Sequence, residues 1–113
     1  QVYYVGLLAG GNDLKLLEKT KVGRDINRHF YNKAEVDREV SRPVVASLIR
    51  LMEFRNTHPS FNGEFKMLPC GKNELIIERS ANGYRSVLTA DFKAKKFKIT
   101  YNSPNENEQK LTF

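Results

Sequence analysis

The sequence predicts an α+β fold, in which a strand, a long polar loop and helices are followed by a small antiparallel sheet. Three observations support this fold class: residues 1–8 form an apolar run, apolar residues recur every three or four positions across residues 43–57, and alternation begins at Glu64. These patterns indicate a buried strand, an amphipathic helix and half-buried strands. A chain of 113 residues is also long enough for a hydrophobic core.

The first predicted element is a strand over residues 1–8, QVYYVGLL. β-Branched, aromatic and aliphatic residues follow one another there, as in a strand of a parallel sheet that is covered on both faces. The rest of the chain offers no second strand and helix unit to pair with it. We therefore expect the natural neighbours of this strand to lie outside the sequence.

A long polar segment, residues 9–33, follows. It holds three glycines and six basic residues but few apolar ones. Connections inside compact domains are usually about 4 to 6 residues long, and much longer ones often carry binding or catalytic residues. We therefore expect the functional residues to lie in this loop.

Two helices are predicted next. The segment KAEVDREV, residues 33–40, has the pattern of a short amphipathic helix. A second helix begins at Pro43, with Ser41 or Arg42 at the cap position, since proline is well tolerated in a first helical turn. It should end near Thr57.

The second half predicts an antiparallel meander of four strands. Its links are short enough for hairpins, and Asn82-Gly83 is the strongest turn signal of the chain. Leu111 and Phe113 could add a last edge strand. The four runs are EFKML, NELIIERS, YRSVLTADF and FKITY.

The charge and the cysteine content narrow the function classes. The net charge is +6, with +3 in residues 1–33, 0 in 34–63 and +3 in 64–113. Because the excess is spread, we expect a solvated basic surface and no nucleic-acid partner, although KAKKFK (residues 93–98) is a dense cluster. Cys70 has no partner for an internal disulfide, which favours a reducing, cytoplasmic compartment.

No membrane, metal or cofactor site is expected from the sequence. The apolar N-terminal run is roughly half of the 20 residues that a membrane span requires. His29 and His58 are isolated and lack the spacing of metal ligands. The glycine pair Gly10-Gly11 is not followed by the lysine and hydroxyl residue of a phosphate-binding loop.

Several motifs, taken in order, resemble the C-terminal part of bacterial sucrose phosphorylases, which belong to the α-amylase-type glycoside hydrolase and transglycosylase clan. Residues 1–63 carry the resemblance, and GRDINRHFY after LLAG is its most specific motif. Residues 64–113 match only in being a short β-rich domain. The motifs are YYVGLLAG (3–10), Asn12-Asp13, LLEKT (16–20), GRDINRHFY (23–31), RPVV (42–45) and FRNTHPSFNG (54–63).

The resemblance implies a (β/α)8 barrel followed by an antiparallel β-domain. Residues 1–63 would supply the last strand, loop and helix of the catalytic barrel, and residues 64–113 would form the C-terminal domain. The loop would then leave the C-terminal end of the last strand, where barrel enzymes have their active sites.

The resemblance also implies an activity, the transfer of a glucosyl unit from sucrose to phosphate with retention, which gives α-D-glucose 1-phosphate and fructose. This reaction needs a carboxylate nucleophile and a carboxyl acid/base. In the family both lie on earlier strands, so we expect no catalytic residue in this chain and no activity from it alone. Asp13 and Asp25 are expected to cap or brace the loop.

Arg24 is the residue that the resemblance marks as substrate-binding. A guanidinium presents five donors in a fixed fork and can bind adjacent sugar hydroxyls. The alternative is an arginine that braces the loop by pairing with a barrel carboxylate. The other residues of the motif are expected to order or anchor the loop: Asn27, Arg28, His29, Phe30 and Tyr31.

Other functions stay open at this point. The parent enzyme could act on sucrose 6-phosphate or on glucosylglycerate. Alternatively, residues 64–113 could be a non-catalytic basic domain for protein or nucleic-acid contacts. We also expect the chain to self-associate as a possible homo-oligomer, through an exposed strand at residues 2–8 and the face of the 43–57 helix.

Overall fold

A computed structural model describes residues 3–113 and has an α+β fold. The chain divides into two compact units, Gln1–Glu53 and Phe54–Phe113. The predicted division into residues 1–63 and 64–113 stays a prediction. The elements are α1 (Tyr4–Leu7), α2 (Leu14–Thr20), α3 (Lys33–Val40), α4 (Pro43–Thr57), β1 (Glu64–Leu68), β2 (Glu74–Ala81), β3 (Tyr84–Asp91), β4 (Lys96–Asn102) and β5 (Gln109–Lys110), with 3₁₀ turns at Gly23–Asn27 and Pro59–Asn62.

The predicted N-terminal strand is wrong, because its described part forms helix α1. The Leu7 amide donates to the Tyr3 carbonyl at 2.9 Å, and the Leu8 amide donates to the Tyr4 carbonyl at the same distance. A strand leaves its backbone groups unpaired without neighbours, whereas a helical turn satisfies them locally. Residues 1 and 2 of the predicted strand lie outside the described residues.

Helix α1 contributes to the core of the first unit. Val5 and Leu8 are only 4% and 6% exposed. The expectation that residues 2–8 present an open strand edge for self-association is therefore wrong for the described residues.

The polar loop is more regular than the sequence predicts, because it contains helix α2 and a 3₁₀ turn. The Asp13 side chain caps α2 by accepting a hydrogen bond from the Leu16 amide at 2.8 Å. The helix ends at Thr20, and the cap residue Lys21 has a left-handed φ of 56° and an amide that donates to the Leu17 carbonyl. This αL residue satisfies a carbonyl at the C-terminus of the helix.

Helices α3 and α4 confirm the sequence prediction. A capping box begins α3: the Asn32 Oδ1 accepts from the Glu35 amide at 3.0 Å, and the Glu35 Oε2 accepts from the Asn32 amide at 2.8 Å. Arg42 takes the cap position of α4, since its carbonyl accepts from the amides of Val45 and Ala46. Helix α4 ends at Thr57, as predicted.

The antiparallel meander is also confirmed, with a fifth strand at its edge. The strands lie in chain order, β1-β2-β3-β4-β5. The β2–β3 hairpin closes at Asn82 and Gly83, whose φ values of 50° and 82° suit a tight turn. The last strand is Gln109–Lys110, just before the predicted Leu111, whose amide still donates to the Ile99 carbonyl at 2.9 Å.

The second unit is held by a buried polar contact among aromatic rings. The Ser60 Oγ is 2.8 Å from the Ser86 Oγ and 2.8 Å from the His58 Nδ1, and both serines are buried. The His58 ring packs against Phe54 and Tyr101, with ring centroids 4.9 and 5.3 Å away. Burial lowers the pKa of His58, so the imidazole is held in its neutral form.

Strands β1 and β4 carry exposed apolar side chains on the face of the sheet that also holds the buried Ile99. Phe65 and Met67 of β1 point to the same face, because alternate residues of a strand share a side of the sheet. Met67 is 66% exposed, and Phe97 of β4 is 57% exposed.

Among residues 3–113, no helix has the length and apolar character needed to cross a membrane.

Candidate functional site

Asp13 connects the two ends of the loop segment 13–29. Its carboxylate accepts from the Leu16 amide through Oδ1 and lies 2.7 Å from the His29 Nδ1 through Oδ2. Its own backbone amide donates to the Ile26 carbonyl at 2.6 Å. A single residue therefore holds the start of α2, the 3₁₀ turn and the end of the loop together.

His29 is surrounded by hydrogen-bonding groups. Its Nε2 is 3.6 Å from the Glu35 Oε1, and its carbonyl accepts from the Tyr4 hydroxyl at 2.7 Å. The hydrogen bond to Asp13, together with the nearby Glu35 charge, raises the pKa of His29 above its ordinary value. Conversely, the hydrogen bonds from His29 and from the Leu16 amide lower the pKa of Asp13. The pair thus favours imidazolium and carboxylate.

Arg24 lies on the 3₁₀ turn Gly23–Asn27 and is exposed. Its guanidinium has no hydrogen-bond or ion-pair partner among the described residues. The turn has two flanking backbone bonds, from the Asp25 amide to the Val22 carbonyl and from the Arg28 amide to the Asp25 carbonyl. No contact within residues 3–113 therefore occupies the Arg24 guanidinium.

An open cleft of about 620 Å³ lies beside the Asp13–His29 pair. Two of its lining residues form an ion pair: the Arg42 Nη1 is 2.6 Å from the Glu39 Oε2, and this contact is the main reason that the pKa of Glu39 is lowered. Arg24 is not among the lining residues, so the cleft and the predicted substrate-binding residue are separate. The cleft is lined by Gly10, Gly11, Asn12, Asp13, Leu14, Lys15, His29, Tyr31, Glu39 and Arg42.

The structure tests the roles predicted for the loop residues. Asp13 caps a helix and braces the loop, as predicted. The Asp25 carboxylate has no partner within residues 3–113, so its predicted bracing contact is not found among them. Phe30 is 77% exposed and does not anchor the loop here, whereas the Tyr31 ring packs edge-on against His29 at 4.6 Å.

Sequence reasoning missed the link between Asp13 and His29 and the contribution of Glu39 and Arg42 to the cleft. Asp13 and His29 are sixteen positions apart, and no periodic pattern connects them. The order Asn32-x-x-Glu35 was a readable signal for the cap that places Glu35 near His29. Among residues 3–113, no group of three or more His, Cys, Asp or Glu side chains could hold a metal ion.

Comparisons with known proteins identify relatives along the chain. No protein-family model matches it. It is 48% identical over 100 residues, 88% of this chain, to a sucrose phosphorylase from Agrobacterium vitis. It is 44% identical over 97% of its length to a sucrose 6(F)-phosphate phosphorylase from Thermoanaerobacterium thermosaccharolyticum. It is 40% identical over 96% of its length to a glucosylglycerol phosphorylase from Marinobacter adhaerens.

A solved structure agrees with these relatives. The crystal structure of sucrose 6F-phosphate phosphorylase from Thermoanaerobacter thermosaccharolyticum matches 100% of this chain with a TM-score of 0.94 and 43% identity. The similarity includes residues 64–113, so it extends beyond the motifs that carried the resemblance. The chain spans only 20% to 23% of the length of these relatives. By homology along its whole length, the chain therefore belongs to the sucrose phosphorylase family, as a C-terminal part of such a protein.

Proposed function

We propose that the protein containing this chain transfers a glucosyl unit from sucrose to inorganic phosphate, with retention, to give α-D-glucose 1-phosphate and fructose. The observation that carries this proposal is the 48% identity to a sucrose phosphorylase over 88% of the chain. Such a double displacement uses a carboxylate nucleophile and a carboxyl group that acts first as acid and then as base. We assign both groups to the part of the protein outside this chain.

Within that enzyme, we assign residues 1–63 to the end of the catalytic barrel. Helix α4 would be its last helix, and the loop of residues 9–33 would lie at the face where barrel enzymes bind substrate. Residues 64–113 would be the C-terminal β-domain. Since α1 is helical, no barrel strand is assigned to residues 3–8. The match of 100% of this chain to 23% of a phosphorylase structure supports this assignment.

Arg24 is proposed to bind the glucosyl unit. The support is its position on an exposed turn with a guanidinium that has no partner among the described residues. A guanidinium can donate two parallel hydrogen bonds to neighbouring sugar hydroxyls, and its permanent charge attracts the phosphate acceptor.

We further propose a reducing, cytoplasmic location. Cys70 is an exposed free thiol and the single cysteine of the chain. Disulfides are rare in reducing compartments, and an exposed lone thiol is better tolerated there.

The relatives differ in the substrate that their names give, which defines the competing candidates. Of the three relatives described above, one is named a sucrose phosphorylase, one is named for sucrose 6(F)-phosphate and one for glucosylglycerol. The test is phosphorolysis by the whole purified protein with sucrose, sucrose 6-phosphate, glucosylglycerol and glucosylglycerate, measured as glucose 1-phosphate release. The highest kcat/KM with sucrose is the expected result. A higher kcat/KM with another donor would replace sucrose as the substrate, and no release from any donor would remove the proposed activity.

A further inference from the structure

We propose that Asp13 and His29 form a clasp that positions Arg24 for its substrate. The clasp consists of the 2.7 Å contact between Asp13 Oδ2 and His29 Nδ1 and the 2.6 Å bond from the Asp13 amide to the Ile26 carbonyl. Both are positioning residues, since neither is assigned a contact with substrate. The inference rests on the proposed function of Arg24.

The need for a clasp follows from the weakness of the turn itself. A 3₁₀ turn has poorer hydrogen-bond geometry than an α-helix. The flanking bonds here are 2.9 Å for Asp25 to Val22 and 3.1 Å for Arg28 to Asp25. The shorter bond from Asp13 reaches Ile26, two residues after Arg24. The backbone that carries Arg24 is therefore fixed from outside the turn.

His29 fixes the other end of the loop. Its side chain is 35% exposed and that of Asp13 is 20% exposed, so the pair is partly shielded from solvent. A carboxylate can only accept, so the His29 Nδ1 donates to it. The Tyr4 hydroxyl donates to the His29 carbonyl at 2.7 Å, and the Tyr31 ring packs edge-on against the imidazole. These two contacts hold His29 against α1 and the end of the loop while it bonds to Asp13. Glu35 lies 3.6 Å from Nε2, which is too far for a hydrogen bond, so it is not part of the clasp.

Four variants separate the clasp from ordinary helix capping. Asp13→Ser keeps a good N-cap and the backbone amide but is too short to reach His29. His29→Phe removes the donor, while His29→Asn retains a donor near the position of Nδ1. Glu35→Gln is the matched control, because glutamine preserves the capping box and removes only the charge near Nε2.

The decisive measurement is a double-mutant cycle with Arg24→Ala in the whole protein. Asp13→Ser and His29→Phe are expected to lower kcat/KM for phosphorolysis by about tenfold to a hundredfold, as a misplacement of about 1 Å can do. His29→Asn should recover part of the loss, and Glu35→Gln should stay near the unmodified value. In the Arg24→Ala background, Asp13→Ser should cause little further loss. A loss of equal size in both backgrounds would overturn the proposal.

A second readout makes this inference separable from the proposed function. In the 113-residue chain, amide exchange at Arg24, Asp25 and Ile26 should accelerate in Asp13→Ser but not in Glu35→Gln. Unchanged exchange in Asp13→Ser would overturn the clasp, whatever the kinetics. If exchange accelerates but Arg24→Ala leaves kcat/KM unchanged, the substrate role of Arg24 fails, and the positioning proposal fails with it.

Discussion

At the scale of single residues, Arg24 gives the sharpest kinetic prediction. Replacing it by alanine in the whole protein should raise the barrier for kcat/KM by about 2 to 3 kcal/mol, the loss expected for a charge-assisted hydrogen bond to the sugar. Arg24→Lys should restore little, because an ammonium cannot reproduce the fork of a guanidinium. Lys19→Ala, which removes another cation of the same loop, is the control. If Arg24→Ala has the same kcat/KM as Lys19→Ala, Arg24 has a structural role and does not bind the sugar.

His58 gives a prediction about pH and stability. Its pKa in the folded chain is lowered from the ordinary 6.5 by burial, so the unfolded chain binds a proton first as the pH falls. The free energy of unfolding should therefore be fully present above about pH 6.5 and decrease as the pH falls below it. The Nε2 of His58 is buried and has no partner among the described residues, which adds to the cost of charging the ring.

This dependence can be measured by urea unfolding of the chain from pH 5 to 8. Amide exchange in β3 and β4 would report the same loss of stability. His58→Gln should flatten the slope below pH 6.5. His29→Asn should not, because the pKa of His29 is raised and its contribution is lost only as the pH rises through that higher value. A slope that survives in His58→Gln would assign the effect to another group.

At the scale of elements, the sequence predicted best where the pattern and the local signals agreed. The helix from Pro43 to Thr57 and the hairpin at Asn82-Gly83 have both an apolar period and a terminating residue. Residues 1–8 could not be assigned in this way, because a short apolar run fits a buried strand and a buried helix equally. The Asp13–His29 contact depends on how the loop folds back, which periodicity does not encode.

The adjacent glycines at the start of the loop allow a matched test of packing. A Cβ on Gly10 would overlap the Tyr31 hydroxyl and come within 2.9 Å of the Val5 Cγ1, whereas a Cβ on Gly11 would meet nothing within 4 Å. Gly10→Ala should therefore lower the free energy of unfolding by about 1 to 3 kcal/mol, the usual cost of overpacking. Gly11→Ala should change it much less. If Gly10→Ala and Gly11→Ala unfold at the same urea concentration, Tyr31 and Val5 move aside without a loss of stability.

At the scale of the whole molecule, the chain spans about a fifth of its relatives. We expect the purified 113-residue chain to release no glucose 1-phosphate from sucrose and phosphate, because the carboxylate pair of the double displacement is assigned elsewhere in the protein. A coupled assay at high protein concentration, with material from a host strain that lacks sucrose-cleaving enzymes, would check this. Release that scales with the chain would place catalytic groups within residues 1–113.

Self-association of the isolated chain remains an expectation, based on exposed apolar side chains of β1 and β4. Met67 and Phe97 are both more than half exposed, and exposed apolar patches promote association. Sedimentation at micromolar concentration should show dimers or larger species, which Met67→Glu and Phe97→Glu should reduce. The control Asn73→Glu makes the same charge change at an exposed turn and should leave the association unchanged. A concentration-independent monomer in the unmodified chain would contradict this expectation.

The order of the strands has a consequence for how the second unit folds. Every pairing in the sheet joins neighbours in the chain, so each hairpin can form without closing a long loop. Topologies dominated by such local contacts fold faster than those that join distant segments. The hydrogen bond between Ser60 and Ser86 joins residues 26 positions apart. It can form only after the central strands have paired. We therefore expect the β2–β3 hairpin to nucleate this unit and the contact with His58 to form late, on the native side of the folding barrier.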